Sequence, residues 1–587
     1  MNPTVKILPQ GRSIRVRKNI VLIDALQEAG VNPISFCNKQ GLCGKCFVEI
    51  LKGKPPKPDT REKEFLARKR LPGNFRLACL YRITGDLTVR IPEAARLSLM
   101  PVLKHGYRRT ILPDPAVRKV VFAPFRPPDL ASPLSLSDQI RAYFPRLGKK
   151  ASPALLKDLA ALQDDPSGKA TAIVYDGTEI LDFEAADTAE QNFGLAVDIG
   201  TTTLVAELVN LNTGKTIEAA TALNGQSRFG ADVISRITTV FQDPLKSEAL
   251  RTAVLDSLQA MVEGMLEKHH IPARHVYEAV IAGNTAMNHL FLGSPVKTLA
   301  VSPYHAVFSA LPPLPASETG LRMNPRGKVY VAPNIKSFVG GDIAAGLAAI
   351  DLARQKGDFL FIDLGTNGEI VLKRGRQFTA TSTAAGPAFE GMNISHGMLA
   401  VPGAVYKAED ADGLKLMTIG NRPALGICGT GLIDLVSLFL DRGAISRQGR
   451  ITGREKKIGV GPDLFLSQKD VREVQLAMAA IKTGIRLLLG LHKLAVTDLD
   501  GIYVAGAFGN YLNIPNSMKL GLLPRLERKK IMFVGNSSLA GAKALLVSRQ
   551  ERVRCERLAQ RIRHVSLATD AAFQKTFIGA LEFGAWT

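Results

Sequence analysis

The sequence predicts a multidomain chain of mixed α+β and α/β class. A small α+β domain carries a cysteine cluster, a linker and a small middle domain follow, and a large duplicated domain with two lobes completes the chain. Three observations carry this. Four of the six cysteines (Cys37, Cys43, Cys46 and Cys79) are confined to one short stretch. Two distant segments, FGLAVDIGTTTLVAELV and FLFIDLGTNGEIVLK, repeat one scheme. The 587 residues, 46% hydrophobic and 22% charged, suffice for several cores at roughly 150 residues per domain.

Composition also excludes whole classes. Six cysteines are too few for a disulfide scaffold. No run of about 18 apolar residues is present, and MNPTVKILPQGRS lacks the apolar core of a secretory leader. A cytoplasmic protein that makes no use of a membrane is expected. The net charge is +22, and residues 1–110 hold 22 basic against 8 acidic side chains. Such a surface can steer an acidic protein partner, or it can be simply a solvated basic face. No helix-turn-helix, zinc-finger or RNA-recognition signature accompanies it, so nucleic acid is not expected.

Residues 1–94 form the first domain. VKILPQG and RSIRV alternate as a hairpin, NIVLIDALQEAGV reads as a short helix and FVEIL as a strand. The cysteine spacing is C-x5-C-x2-C-x32-C, with three thiolates in the glycine-containing loop FCNKQGLCGKC and the fourth in RLACLYRITGDLTVRIP. Four thiolates so arranged suit one [2Fe–2S] cluster. Gly41 and Gly44 permit tight turning, and Lys45 sets positive charge beside an anionic centre. The alternative is a structural zinc site, but zinc ribbons supply two C-x2-C pairs and only Cys43 and Cys46 make one. The order of elements resembles the β-grasp ferredoxins, and the five-residue first gap resembles the adrenodoxin type.

Residues 50–70 read as a basic, proline-containing excursion before Cys79, and 95–114 as a linker. A middle domain is expected over 115–189. LSDQIRAYF and PALLKDLAAL read as helices, and TAIVYDGTEILDFEA as a hairpin turning at Asp176-Gly177. FAPFRPPDLASPLS reads as proline-rich loop.

From 190 to 587 the pattern is that of a nucleotide-binding domain. In each repeated segment an apolar strand ends in Asp and runs through a Gly-Thr turn into a second strand: Asp198, Gly200, Thr201 and Thr202, then Asp363, Gly365, Thr366, Asn367 and Gly368. Each Asp can hold Mg²⁺ through water, and each turn offers N–H groups and a hydroxyl to phosphate. SFVGGDIAAGLAAIDL and GNSSLAGAKALL are small-residue helices suited to close packing. GIYVAGAFGNYLN is a strand entering a glycine-rich turn of the sort needed where an adenosine lies against backbone, and resemblance to the sugar-kinase fold implies that Gly506 and Gly509 line it. Two copies in order suggest an actin-like two-lobed ATPase, and the set resembles the five motifs of the acetate and sugar kinase, heat-shock 70 and actin (ASKHA) superfamily. Asp342 is expected to position the attacking water, with Asp232 as second choice. STAAGPAFEGMNISHGM follows the second turn; Gly386-Pro387 and Glu390 precede a polar Asn393-Ser395-His396 loop, and that loop is a candidate to sense nucleotide or meet a partner.

The cysteine motif joined to VDIGTTT, NGQSRFGADVISRI, AGNTAMNH, APNIKSFVGGDIAAG, IDLGTNGEI, AGPAFEGMNISHGM, GICGTGLIDL and VAGAFGNYLN closely resembles the reductive activators of corrinoid proteins over nearly the whole chain, most weakly in 95–190. The resemblance implies ATP-dependent transfer of one electron from the [2Fe–2S] cluster to a Co(II) corrinoid in an acidic methyltransferase protein, giving Co(I). It further implies a low-potential ferredoxin or flavodoxin as donor and a homodimer through the ATPase domain. Asn38-Lys39 departs from the glycines that relatives often carry in the ligand loop. Two rivals are an activator of the 2-hydroxyacyl-CoA dehydratase kind, which bridges a [4Fe–4S] cluster with two fairly close cysteines per subunit, and a non-redox ATPase with a structural metal domain. Cys428 and Cys555 are too far apart for the first. Cys428 is expected to be a buried small residue.

Overall fold

A computed structural model describes residues 2–586 other than 30, 32–45, 54–55, 69–70, 93–108, 124–134, 146–152, 163–164, 231, 412, 507–510, 568–571 and 585. The expected ligands Cys37 and Cys43, the loop residues Asn38, Lys39, Gly41, Gly44 and Lys45, most of the linker and Gly509 lie outside the described residues.

The N-terminal hairpin forms as alternation predicts, Thr4–Leu8 pairing antiparallel with Arg12–Arg15. The sheet runs in the order Arg12–Arg15, Thr4–Leu8, Leu87–Arg90, Phe47–Lys52, Phe75–Leu77. Its inner face, including Val5, Ile7, Val48 and Val89, packs on Leu22, Ile23 and Leu26 of the helix Leu22–Glu28, giving this domain a core of its own. Cys46 precedes one strand and Cys79 follows its antiparallel neighbour; the Ala78 N–H donates to the Cys46 carbonyl at 2.9 Å. Both thiols are buried. The excursion contains a helix, Thr60–Arg68. Its buried Glu62 accepts from Arg76 and from the Leu77 N–H, tying it to the strand before Cys79. Such a pair is costly to break, because it leaves a charge unpaired.

The middle region holds an antiparallel sheet of Val117–Phe122, Ala170–Tyr175 and Glu179–Ala185, with the helices Leu136–Tyr143 and Pro153–Ala160. The turn falls at Asp176 and Gly177, both at positive φ as a two-residue hairpin turn requires. Polar contacts bind this sheet to the next domain. Tyr277 donates to Asp182 and Glu184, Arg326 donates to Asp182 at 2.7 Å, and Glu184 also contacts Lys119 and His275.

The large domain is duplicated in topology. In the first lobe, Lys215–Leu223, Thr203–Asn210 and Phe193–Ile199 form a meander whose last-named strand pairs in parallel with Val276–Gly283, which pairs with Lys328–Val331. In the second, Gln377–Thr383, Gly368–Arg374 and Phe359–Leu364 lead in the same order to Gly501–Ala505 and Ile531–Gly535. Each sheet is followed by a small-residue helix, Gly341–Ala349 or Ser537–Val547, and the two pack against each other. A Cβ on Gly541 would collide with the Ala345 backbone, and one on Gly346 would lie 2.7 Å from Ser537 Oγ. The helix Gln468–Leu491 is long and apolar enough to cross a membrane, yet most of it is buried in the second lobe.

Two outcomes follow from this packing. Glycine-to-alanine in a helix ordinarily stabilises by about 0.5–1 kcal/mol. Gly541→Ala is expected instead to destabilise by ~1–3 kcal/mol through overpacking, whereas Gly490→Ala, with open space around it, keeps the ordinary sign; thermal unfolding measures both. Burial holds the His275 ring below the usual imidazole range, with Lys119 adding to it against the pull of Glu184. The unfolded chain therefore binds this proton more readily, so the stability is present above a pH of about 6.5 and is lost as pH falls below it. The unfolding temperature should drop between pH 7.5 and 5.5, and His275→Gln should flatten that slope.

Candidate functional site

The two Asp-ended strands meet across the packed helices, and between the lobes lies a cavity of about 340 Å³. It is lined by Asp198, Gly200, Thr201 and Thr202 from one turn, Asp363, Gly365, Thr366 and Asn367 from the other, and Asp342 and Gly506. Residues nominated separately from sequence are thus brought together. Gly368 begins the strand beside them, paired with Leu364. Gly200 and Gly365 close the turns by donating to the Thr203 and Asn367 carbonyls, each at 3.0 Å. Gly506 has φ +110°, and a Cβ there would strike the Leu364 carbonyl, so glycine is required. Asp232 is not among the lining residues: its carboxylate accepts from the Ser235 N–H at 2.8 Å and caps the helix Val233–Gln242.

Two opposed charge sets face the cavity. Asp198, Asp342, Asp363 and Glu369 form an acidic group. Burial, followed by Asp342 and Asp198, pushes Asp363 up to about 8; burial and Asp198 push Asp342 up to about 7; burial and both neighbours raise Glu369 well above the carboxylate range. Asp198 is also raised by burial, though Asn536 and Ser538 donate to it, each at 2.8 Å. Among the described residues no three His, Cys, Asp or Glu converge closely enough to hold a metal ion directly. The set therefore fits Mg²⁺ carried mainly by water and phosphate, the usual mode for that ion. Against it stand four helix N-termini, those of Thr285–Leu292, Gly341–Ala349, Gly429–Asp441 and Ser537–Val547, each with its capping, first or second residue lining the cavity. Their N–H groups and dipoles favour bound phosphate.

The threonine hydroxyls of the two turns have partners within the protein. Thr202 and Thr366 both donate to Glu390, at 3.0 and 2.6 Å, and Asn284 donates to the Thr201 hydroxyl at 3.1 Å. Arg236, fully buried, donates to the Thr201 and Gly230 carbonyls. Sequence reading missed Asn284, Arg236, Asn536 and Ser538 as site residues. Asn284 and Asn536 carried a usable signal, since each is a capping residue just ahead of a small-residue or apolar helix. The buried Cys428 lines the same cavity. Ser395 is tied to Asp470, which caps the helix Gln468–Leu491.

Known proteins share this arrangement. Residues 5–84 match the 2Fe-2S iron-sulfur cluster binding domain, 193–355 the RACo middle region, and 358–585 the C-terminal ASKHA domain of RACo. The family's middle region is therefore the first lobe, and the sheet of 117–185 lies between matched segments. The chain is 30% identical to the corrinoid activation enzyme RamQ of Eubacterium limosum over 97% of both chains. It is 26% identical to the [Co(II) methylated amine-specific corrinoid protein] reductase of Methanosarcina barkeri, over 67% of this chain and 77% of that one. A solved reductive activator for a corrinoid, iron-sulfur protein superposes with TM-score 0.75 at 32% identity, covering 100% of this chain and 99% of the other.

Carboxyls held above their normal range carry protons near neutrality that a cation must displace. Loading the cavity with Mg²⁺ and a nucleotide at pH 7 is expected to release protons, and affinity should rise from pH 6 to 8. Calorimetry in buffers of differing ionisation enthalpy measures the release.

Proposed function

Since the chain belongs to the reductive activators of corrinoid proteins, we propose that it returns a Co(II) corrinoid to Co(I) with hydrolysis of ATP coupled to the step. The observation that carries this is likeness over the full length, ferredoxin domain and both lobes together, to a corrinoid activation enzyme. A [2Fe–2S] cluster on Cys37, Cys43, Cys46 and Cys79 supplies the one-electron carrier. Clusters of this kind lie near roughly −400 mV, and each ~59 mV uphill costs a factor of ten in equilibrium for one electron. A few such factors are small beside ATP hydrolysis.

The nucleotide does not need to touch the electron. A nucleotide-driven lobe closure that binds the Co(I) form more tightly than the Co(II) form is sufficient to bias the transfer. In this reading Asp198 and Asp363 hold the water shell of Mg²⁺, with Asp342 beside them and Asn536 and Ser538 orienting Asp198. The turns at Gly200–Thr202 and Gly365–Gly368 take the phosphates, and Gly506 with Gly509 lines the adenosine. Partners are an acidic corrinoid protein, a low-potential ferredoxin or flavodoxin, and a second copy through the ATPase domain, all in the cytoplasm. The exposed Lys6, Arg15 and Lys52 support an acidic partner: none has an ion pair among the described residues, and register places them on one side of the N-terminal sheet.

Asp363→Asn is expected to abolish ATP-dependent reduction of Co(II) while leaving the visible spectrum of the cluster intact. Anaerobic spectroscopy follows both signals, and undiminished ATP dependence would refute the assignment.

A further inference from the structure

We propose that Glu390 is the carboxylate that positions and deprotonates the water attacking the terminal phosphate. The inference rests on the reading of the cavity as an ATP site and adds the residue that activates its water. Glu390 joins the two lobes. One oxygen accepts from Thr202 in the first phosphate turn and the other from Thr366 in the second. A triphosphate gripped by both turns brings its end between them, which is where this carboxylate lies. A carboxylate has about four lone-pair sites, so two hydroxyl bonds leave acceptor capacity for water.

The surroundings fix this side chain. Glu390 ends a short 3₁₀ turn, Pro387–Glu390, and Gly391 follows at φ +76°. A Cβ on Gly391 would collide with Met398, and one on Gly397 with the Gly391 carbonyl, so the loop closes backbone to backbone. Arg236 lies close enough to favour the ionised form. Burial pulls the other way and lifts Glu390 above the ordinary carboxylate range, which makes it a stronger base. Asp342, the residue first nominated, differs in two ways. It belongs to the acidic group on the cation side, and one of its oxygens accepts from the Ile343 N–H at 2.8 Å.

The step balances without an oxidant or reductant. The water oxygen bonds to the terminal phosphorus, and the bond from that phosphorus to the bridging oxygen breaks. The water proton passes to Glu390, and ADP leaves with phosphate. General-base assistance of this kind contributes about 10²–10⁴-fold.

The test uses the full chain with Mg²⁺ and ATP, or a non-hydrolysable analogue for binding. Glu390→Gln is expected to bind the analogue within about 3-fold of wild type and to lose ~100-fold or more in kcat with KM little changed. Glu390→Asp should recover part of the loss. The double variant Thr202→Val/Thr366→Val keeps the carboxylate without its two supports and should lose ~10-fold in kcat. Hydrolysis by Glu390→Gln within about 3-fold of wild type overturns the proposal. Loss of analogue binding by that variant also overturns it and makes Glu390 a binding residue. A wild-type chain that binds no analogue overturns the ATP reading itself.

Discussion

The close approach of two helix backbones, Gly341–Ala349 against Ser537–Val547, is the constraint on which the rest depends. Gly541 lies against the Ala345 backbone with no room for a methyl group. At that spacing the two strand ends bearing Asp198 and Asp363 face one cavity. The same contact lets Asn536 and Ser538 of the second lobe reach Asp198 of the first. A wider seam would separate the residues that any shared ligand must bridge.

The cavity is built from opposed electrostatics. Burial raises all four carboxyls, and repulsion within the group adds to it at Asp342, Asp363 and Glu369. Four helix N-termini supply the opposite field. Neither set is at ease alone. A divalent cation together with a polyphosphate is the kind of ligand that would answer both at once.

Much of this was legible in the sequence wherever a local rule ties residue type to conformation. The Asp176-Gly177 hairpin, the alternating N-terminal strands and the two Asp-Gly-Thr turns obey such rules, and all form as read. The small-residue helices were legible too, because a backbone contact demands glycine and alanine. What stayed hidden depends on distant partners. Nothing near Glu390 announces that Thr202, from the other lobe, will donate to it. Arg236 reads as a surface cation on an ordinary helix, yet it is fully buried against a turn that precedes it. Asp232 shows the converse: its helix start is a local capping pattern, and capping is the role that it fills.

The connection of Asp198 to Asn536 and Ser538 also bears on how the chain is made. The first lobe and the sheet of 117–185 both lean on segments synthesised far later: Leu546 packs at Gly194, and Arg549 donates to Asp114 and Asp176. Emerging from the ribosome, that half waits for the helix Ser537–Val547 before its polar seam is filled. The N-terminal domain has no such debt, since among the described residues its buried core draws on positions 5–91 alone. Having a core of its own, it is placed to take shape while the remainder is still being translated.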